Sequence, residues 1–373
     1  MAKSVAIIGT RGYPSYYGGF ETLVRHLAPY LAEHGWDVTV YGRAGATDPD
    51  DPERDTRVHT VTTAGIESKS ISTLSYGLTA SAHAARHRPD VALVLNVANG
   101  YFMPLLRARR IPIVCNVDGI EWDREKWGAK AKAVFRGGAR MTARYADEIV
   151  CDAQQLVDRW SVEFGRDGLF IPYGGTDGGD LPPVAPLAGK PYVLMVARLV
   201  PENTLADFLT AVEKLSTSCD VAIVGSSGYG GEWDERVAYL ATHHENVHWF
   251  GHLHDDTTLL ALWRHAGVYF HGHSVGGTNP ALVQAMASGA PVVARDTVYN
   301  REVLGENGLF VDAEPSAIAD AITRLMADAE LREKLRAGAK ARAAEHYTWS
   351  EVCASYDRAL TAQLTTRAKV LSS

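Results

Sequence analysis

The stretch His271–Pro291, HGHSVGGTNPALVQAMASGAP, decides how this chain is read. It opens as the tail of an apolar strand, GVYFHGH, running from Gly267 to His273. A turn of small residues follows, Ser274 to Asn279, with Gly276 and Gly277 side by side. Pro280 then begins a helix, ALVQAMASG, that stops at Gly289 before a second apolar run, PVVAR. Proline suits a first helical turn, where its missing N–H would have had no partner, and glycine suits the end. Strand, glycine turn and helix N-terminus in succession make an anion site, because free backbone N–H groups and the positive end of the helix dipole point into the turn. The alternative is an ordinary βα connection of a parallel sheet, since strand–glycine–helix turns are common.

Outward from this stretch, short apolar runs alternate with helical patterns through nearly the whole chain. The candidate strands are VAIIG, DVTVYG, DVALVLN, IPIVCNV and EIVCD in the first half, then YVLMVAR, DVAIVG, NVHWFGH, GVYFHGH, PVVAR and GLFVD. Helical patterns between them include FETLVRHLAPYLAEHG, LADFLTAVEKL and AIADAITRLMADAELREKLRAGAKARAAEH. Strands this apolar are covered on both faces, and βαβ alternation means a parallel sheet flanked by helices. The pattern restarts after about residue 180, and GGTDGGDLPPVAPLAGK, Gly174 to Lys190, has the Gly, Pro and Asp content of an interdomain linker. The spacing predicts an α/β protein with one domain over residues 1–180 and a second over 190–345. Residues 346–373 form an amphipathic helix beginning near Ser350.

At 373 residues the chain has the length of two ordinary domains. Its 46% hydrophobic and 22% charged residues are those of a globular protein, and a net charge of −7 excludes a general nucleic-acid binder. Cys115, Cys151, Cys219 and Cys353 form no CxxC pair and read as core thiols of a reducing compartment. No signal peptide precedes SVAIIG, and no apolar run approaches the roughly 20 residues of a spanning helix. The expectation is a cytoplasmic protein, with peripheral attachment at the inner face of the membrane considered below.

The HGHSVGGTNP turn and the QAMASGAPVV helix resemble the donor-binding motif of GT-B nucleotide-sugar glycosyltransferases, in the large retaining family often called GT4. The GGTNP wording is closest to its bacterial rhamnosyltransferase-like subgroup. Three further stretches carry the same resemblance in the same order: GTRGYPSYYGGFET, Gly9 to Thr22; NVDGIEW around Asp118; and PEN at residues 201–203. It covers nearly the whole chain. It implies two Rossmann-like parallel-sheet domains facing across a cleft, with the C-terminal helix crossing back to the N-terminal domain.

The resemblance also implies roles for residues. Gly18 and Gly19 would contact the donor, while Arg11 is left between phosphate and acceptor. Arg198 matches the arginine that holds the donor phosphates, and Asn203 stands where the family commonly carries a lysine. His273, Gly277, Thr278 and Asn279 would complete the donor site. Gln284 stands where the family has a glutamate for the ribose hydroxyls, and a Gln284→Glu change is predicted from this to tighten donor binding. Asp118, near which many members place a histidine, and Arg198 are the candidate catalytic residues. Glu121 is left between acceptor and phosphate.

Other readings stay open at this point. The carboxylates Asp118 and Glu121, with Asp123 nearby, could serve glycosidase chemistry, and Asp118 could simply cap a turn. From Pro104 to Ala146 there are ten Lys or Arg against four Asp or Glu. Arg124, Lys126, Lys130, Lys132, Arg136, Arg140 and Arg144, with Trp122, Trp127 and Phe135, suit either an anionic membrane surface or a solvated helix face. His243, His244, His248, His252 and His254 crowd one segment without an HExxH or a carboxylate in ligand spacing, so no metal site is assigned.

The reading adopted is a retaining glycosyltransferase that moves a hexose from a nucleoside-diphosphate sugar to a hydroxyl. The subgroup suggests dTDP-L-rhamnose as donor and a glycan or lipid-linked glycan precursor as acceptor. The nucleotide sugar is a co-substrate, and no other cofactor and no metal is expected, because no Asp-x-Asp motif ends a strand. Competing readings are a non-catalytic relative that scaffolds glycan assembly and a GT-B-fold sugar-nucleotide epimerase. A nicotinamide dehydrogenase is disfavoured, since no G-x-G-x-x-G follows either domain's first strand.

Overall fold

The computed structural model describes residues 3–16, 18–68, 71–124, 127–228 and 230–372, the last seven of these through their backbone alone. The chain divides into two compact units. The first comprises residues 1–123, 127–172 and 350–373; the second comprises 124–126 and 173–349.

The first unit holds strands β1 (Lys3–Ile8), β2 (Trp36–Arg43), β3 (His59–Thr63), β4 (Val91–Leu95), β5 (Ile113–Asn116), β6 (Glu148–Cys151) and β7 (Leu169–Phe170). Its helices are α1 (Gly19–Glu33), α2 (Ser72–His87), α3 (Met103–Arg107), α4 (Ala129–Tyr145) and α5 (Gln154–Phe164). All strand pairs are parallel, in the order β3-β2-β1-β4-β5-β6-β7. The apolar runs supply the centre of this sheet: Val91 to Leu95 are 1% exposed or less. The sequence reading missed β3 and β7. Both lie at sheet edges, HTVTT half exposed and Leu169–Phe170 only two residues long, and an edge strand needs no apolar run.

The second unit holds β8 (Tyr192–Val196), α6 (Leu205–Leu215), β9 (Asp220–Val224), α7 (Glu232–His243), β10 (Val247–Gly251), α8 (Asp256–His265) and β11 (Val268–His271). Then come α9 (Pro280–Ser288), β12 (Val292–Arg295), α10 (Val298–Leu304), β13 (Leu309–Val311), α11 (Pro315–Ala327) and α12 (Ala329–His346). Its sheet, also parallel, has the order β10-β9-β8-β11-β12-β13. Val193 and Met195 point to one layer, with Phe208 stacked on Phe270 at 4.8 Å; Tyr192 and Leu194 point to the other, against α8, α9 and α12. Each large apolar side chain buried this way contributes about 1.5–3 kcal/mol.

The helical run after Ala317 is two helices rather than one. Asp328 takes extended backbone between α11 and α12, and its carboxylate accepts from the Leu331 N–H at 2.9 Å as an N-cap. The last helix, α13 (Trp349–Ser372), packs on the first unit. Trp36 donates its indole N–H to Asp357 at 2.8 Å, and Asn116 donates to the Tyr356 hydroxyl at 2.6 Å. The Gly174–Lys190 stretch, read as a linker, is folded onto the second unit: Gly175 N–H bonds the Tyr347 carbonyl at 2.8 Å, and Leu187 is 1% exposed in the core.

Candidate functional site

In the second sheet the strand order reverses between β8 and β11. Chains that leave a parallel sheet in opposite directions open a crevice beyond the strand ends, and ligands of such sheets bind there. The parallel register pairs Tyr269 with Leu194. Continued past the strand ends, it brings the His271–Asn279 turn beside the loop that starts at Arg198.

Hydrogen bonds fix those two loops to each other. Asn203 donates its Nδ2 to the Arg198 carbonyl at 2.7 Å, and its Oδ1 lies 2.8 Å from His273 Nδ1. Ser274 donates both its N–H and its hydroxyl to the Glu202 carbonyl at 2.9 Å. Thr204 donates its hydroxyl to the Gly272 carbonyl at 2.6 Å, accepts from Arg295 at 3.0 Å, and holds a left-handed backbone (φ 53°) that is costly for a β-branched residue. A Cβ at Gly272 would stand 2.1 Å from the Asn203 carbonyl oxygen, so only glycine allows this approach. Asn300 closes the arrangement by donating to the His273 carbonyl at 2.9 Å.

The electrostatics favour an anionic ligand. Arg198 is exposed, and its guanidinium has no hydrogen-bond or ion-pair partner among the described residues. Burial holds His273 well below its usual pKa, and Arg124, His271 and Arg198 push the same way. His271 is 4% exposed and lowered to about 3 by burial; its Nδ1 meets the Tyr269 hydroxyl at 3.1 Å, and its Nε2 has no hydrogen-bond partner among the described residues. Both rings are therefore neutral near pH 7. Gly276 takes φ 84°, Gly277 and Thr278 are buried, and α9 begins at Pro280.

Two residues of the turn and helix have partners that the sequence does not reveal. Asn279 spends its side-chain oxygen on the Ala281 N–H at 3.0 Å, as the N-cap of α9. Gln284 accepts from the Thr176 N–H at 3.0 Å and donates to the Thr176 carbonyl at 2.6 Å and to Ser288 at 3.0 Å. Its amide thus clamps the backbone of residue 176. A Gln284→Glu change would therefore act on this clamp as well as on any ribose it meets. Asn203 likewise does not stand in for a lysine by offering a free donor, since it is 7% exposed and bonded at both ends.

The first unit carries the other sequence candidates at its own strand ends. Gly9 (φ 107°) opens the β1–α1 turn, where a Cβ would meet the Leu95 carbonyl at 2.3 Å. Glu21, not singled out from the sequence, is 6% exposed and holds this turn: it accepts from Thr10 Oγ1 at 3.1 Å and from the Arg11 N–H at 2.9 Å. Gly18 caps α1 in extended backbone, Gly19 is its first residue, and Tyr17 between the two motif halves lies outside the described residues. Asp118 sits past β5 in the left-handed region (φ 62°) beside Asn96 past β4 (φ 71°), which donates to it at 3.1 Å. The Asp118 N–H in turn donates to Asn116 at 2.9 Å. Two strained residues at neighbouring strand ends are the kind of feature found at functional sites. Glu121 is 5% exposed and accepts the Trp127 indole N–H at 2.7 Å, while Asp123 pairs with Arg159 at 2.5 Å.

Of the basic stretch, Lys130, Arg136, Arg140 and Arg144 are exposed on α4, Lys132 is half-buried, Arg124 is buried, and Lys126 lies outside the described residues. Trp122 is no surface anchor, being 7% exposed against Phe164; Trp127 is half-buried on Phe135. The five clustered histidines go separate ways. His248 meets Asp220 at 2.7 Å, His244 meets Ser216 at 3.2 Å, His243 meets the Tyr239 carbonyl at 2.8 Å, and the His252 and His254 rings cross at 4.5 Å. Among the described residues no group of three or more His, Cys, Asp or Glu could hold a metal ion, and no helix is long and apolar enough to cross a membrane.

Comparison with known proteins adds the following likenesses. Residues 182–342 match the family model Glycosyl transferases group 1, and residues 2–176 match a Domain of unknown function (DUF1972). A Phosphatidyl-myo-inositol mannosyltransferase of Mycobacterium leprae is 33% identical over 229 residues, 58% of this chain and 59% of that protein. The match thus spans less than two thirds of that relative's length. Among solved structures, sucrose-phosphate synthase from Thermosynechococcus elongatus superposes with a TM-score of 0.81 at 21% identity, over 98% of this chain and 99% of that one. HepE of Anabaena in complex with UDP-glucose gives 0.75 at 16% identity, over 97% and 100%. The fold is GT-B, two parallel-sheet α/β domains.

Proposed function

With a group 1 glycosyl transferase domain over residues 182–342, we propose that this chain transfers a hexose from a nucleoside-diphosphate sugar to a hydroxyl, with retention at the anomeric carbon. The observation that carries this is Arg198, an exposed guanidinium without a partner among the described residues, on the loop tied to the turn before α9. A diphosphate there would gain forked charge-assisted hydrogen bonds from Arg198 and backbone N–H groups from Gly277, Thr278 and Asn279. Stabilising the leaving diphosphate is the task such a site has to perform, and it needs no strong protein nucleophile. Asp118 is the proposed carboxylate of the first unit, accepting sugar hydroxyls or steadying positive charge. The GGTNP and GTRGYPSYYGGFET wording supports L-rhamnose, while the mycobacterial relatives are named mannosyltransferases.

The test is calorimetric titration with dTDP-L-rhamnose, GDP-mannose, UDP-glucose and the bare nucleotides. One of these sugars is expected to bind, and Arg198→Ala to weaken it by about ten- to a hundredfold at an unchanged melting temperature. Turnover with that donor is expected to persist in EDTA, since Arg198 and the α9 N-terminus would carry the diphosphate charge. Binding untouched by Arg198→Ala would overturn the site. The scaffold reading is favoured by Gln284 and Asn203, whose side chains are spent on the protein. Binding of a nucleotide sugar with no transfer to any lipid-linked glycan would select it.

The proposal extends to where the enzyme works. Tyr101, Leu105 and Val134 are exposed, Tyr101 donates to the Val134 carbonyl at 2.9 Å, and α4 also carries the exposed cations Lys130, Arg140 and Arg144. Apolar side chains amid cations suit an anionic lipid surface, each cation near it contributing about 1 kcal/mol. Sedimentation with phosphatidylglycerol vesicles at low salt is expected, with release at high salt and none with phosphatidylcholine. Equal binding to both lipids, or none to either, would rule this surface out.

A further inference from the structure

The donor reading gives the phosphates to Arg198 and the α9 N-terminus but no task to the Asn203–His273 pair. Asn203 Nδ2 donates to the Arg198 carbonyl, which can only accept, so the orientation of the amide is fixed. Its Oδ1 is then the atom facing His273 Nδ1 at 2.8 Å, and that nitrogen must carry a proton. Burial first, then Arg124, His271 and Arg198, disfavour an imidazolium, and they outweigh the opposing hydrogen bond with the Val275 backbone. A neutral ring with its proton on Nδ1 has a lone pair on Nε2, and the residue is only partly covered. Diphosphate oxygens at neutral pH accept and do not donate, so this lone pair repels them. The donor-substrate group that suits it is a hydroxyl.

We propose that Asn203 is a positioning residue that fixes His273 as the Nδ1–H tautomer, so that Nε2 accepts a hydrogen bond from a hydroxyl of the transferred sugar. The assignment rests on the donor reading above. It explains an asparagine where the resembling family commonly has a lysine. A lysine could not accept from His273, and it would set a third cation beside Arg124 and Arg198.

Long-range 1H–15N correlation spectra of histidine-labelled protein test the tautomer without any ligand. His273 is expected with a protonated Nδ1 and a bare Nε2 near neutral pH; an Nε2–H tautomer overturns the proposal. Titration with the nucleotide sugar that binds and with its bare nucleotide then tests the role. His273→Ala is expected to lower affinity for the nucleotide sugar by about tenfold and leave the bare nucleotide unchanged. His273→Gln, which keeps an acceptor, is expected to recover part of the loss. In Asn203→Asp the new carboxylate favours the imidazolium, so the ring titrates upward and the sugar-dependent part of the affinity fades as pH falls. A purely structural role would lower both ligands equally in His273→Ala, and that result sinks the assignment. If no nucleotide sugar binds the unaltered chain, the donor reading fails and takes this role with it. If one binds and His273→Ala leaves the sugar increment intact, only this role fails.

Discussion

Gln284 shows how a single amide can hold a distant stretch of backbone. Its oxygen and nitrogen grip the two backbone groups of Thr176. Replacing it by glutamate keeps the acceptor for the Thr176 N–H but sets a second oxygen against the Thr176 carbonyl, at the place where a donor now sits at 2.6 Å. Gln284→Glu is therefore expected to cost about 1–3 kcal/mol through an unmade hydrogen bond and lone-pair repulsion. A lower denaturant midpoint at neutral pH would show it; a midpoint equal to or above that of the unaltered chain would return Gln284 to the ribose. The sequence could place Gln284 on the first turns of a helix. It could not reveal that residue 176, more than a hundred positions away, would fill its hydrogen bonds.

At the scale of elements, the helix that matters most for integrity is α13. It leaves the second unit and buries Val352, Cys353, Tyr356, Ala359 and Leu360, each 4% exposed or less, on the first. Tyr356 also satisfies Asn116, whose Oδ1 accepts from the Asp118 N–H. At about 1.5–3 kcal/mol for each large side chain, losing this contact would approach the whole marginal stability of a domain. A chain ended after Trp349 is expected to lose the cooperative unfolding transition of the first unit while the second still melts. Two retained transitions in calorimetry would show that α13 is dispensable.

For the molecule as a whole, two neutral histidines at one place, His271 buried and His273 partly covered, make stability depend on pH. His271 is lowered to about 3 and His273 well below 6.5, so between those values the unfolded chain binds protons that the folded chain refuses. Stability then rises with pH through this window and levels off above about 6.5, by up to about 1.4 kcal/mol per pH unit for each histidine. Carboxylates held down by cations, Asp177 by Lys340 and Asp296 by Arg301, lose their contribution in a separate window below 3.8. Denaturant midpoints are expected to fall between pH 6.5 and 4.5 and to fall less in His271→Gln. A midpoint flat across that range would mean that water or a counterion reaches both rings.

The sequence by itself determined the architecture. Continuous apolar runs such as VALVL, alternating with amphipathic helices, can be buried only as parallel strands covered on both faces, and one restart of that pattern means two sheets. It also placed the turn before α9, because Pro280 and the glycines before it are local requirements of a helix start. Edge strands β3 and β7 escaped because edges need no apolar pattern. What only tertiary structure decided is which polar side chains bond to the protein itself. Asn203, His273 and Gln284 look alike in sequence as site residues. Their partners, the Arg198 carbonyl and the Thr176 backbone, arrive through strand order and chain return, and a buried hydrogen bond is filled by whatever the fold brings within 3 Å or so.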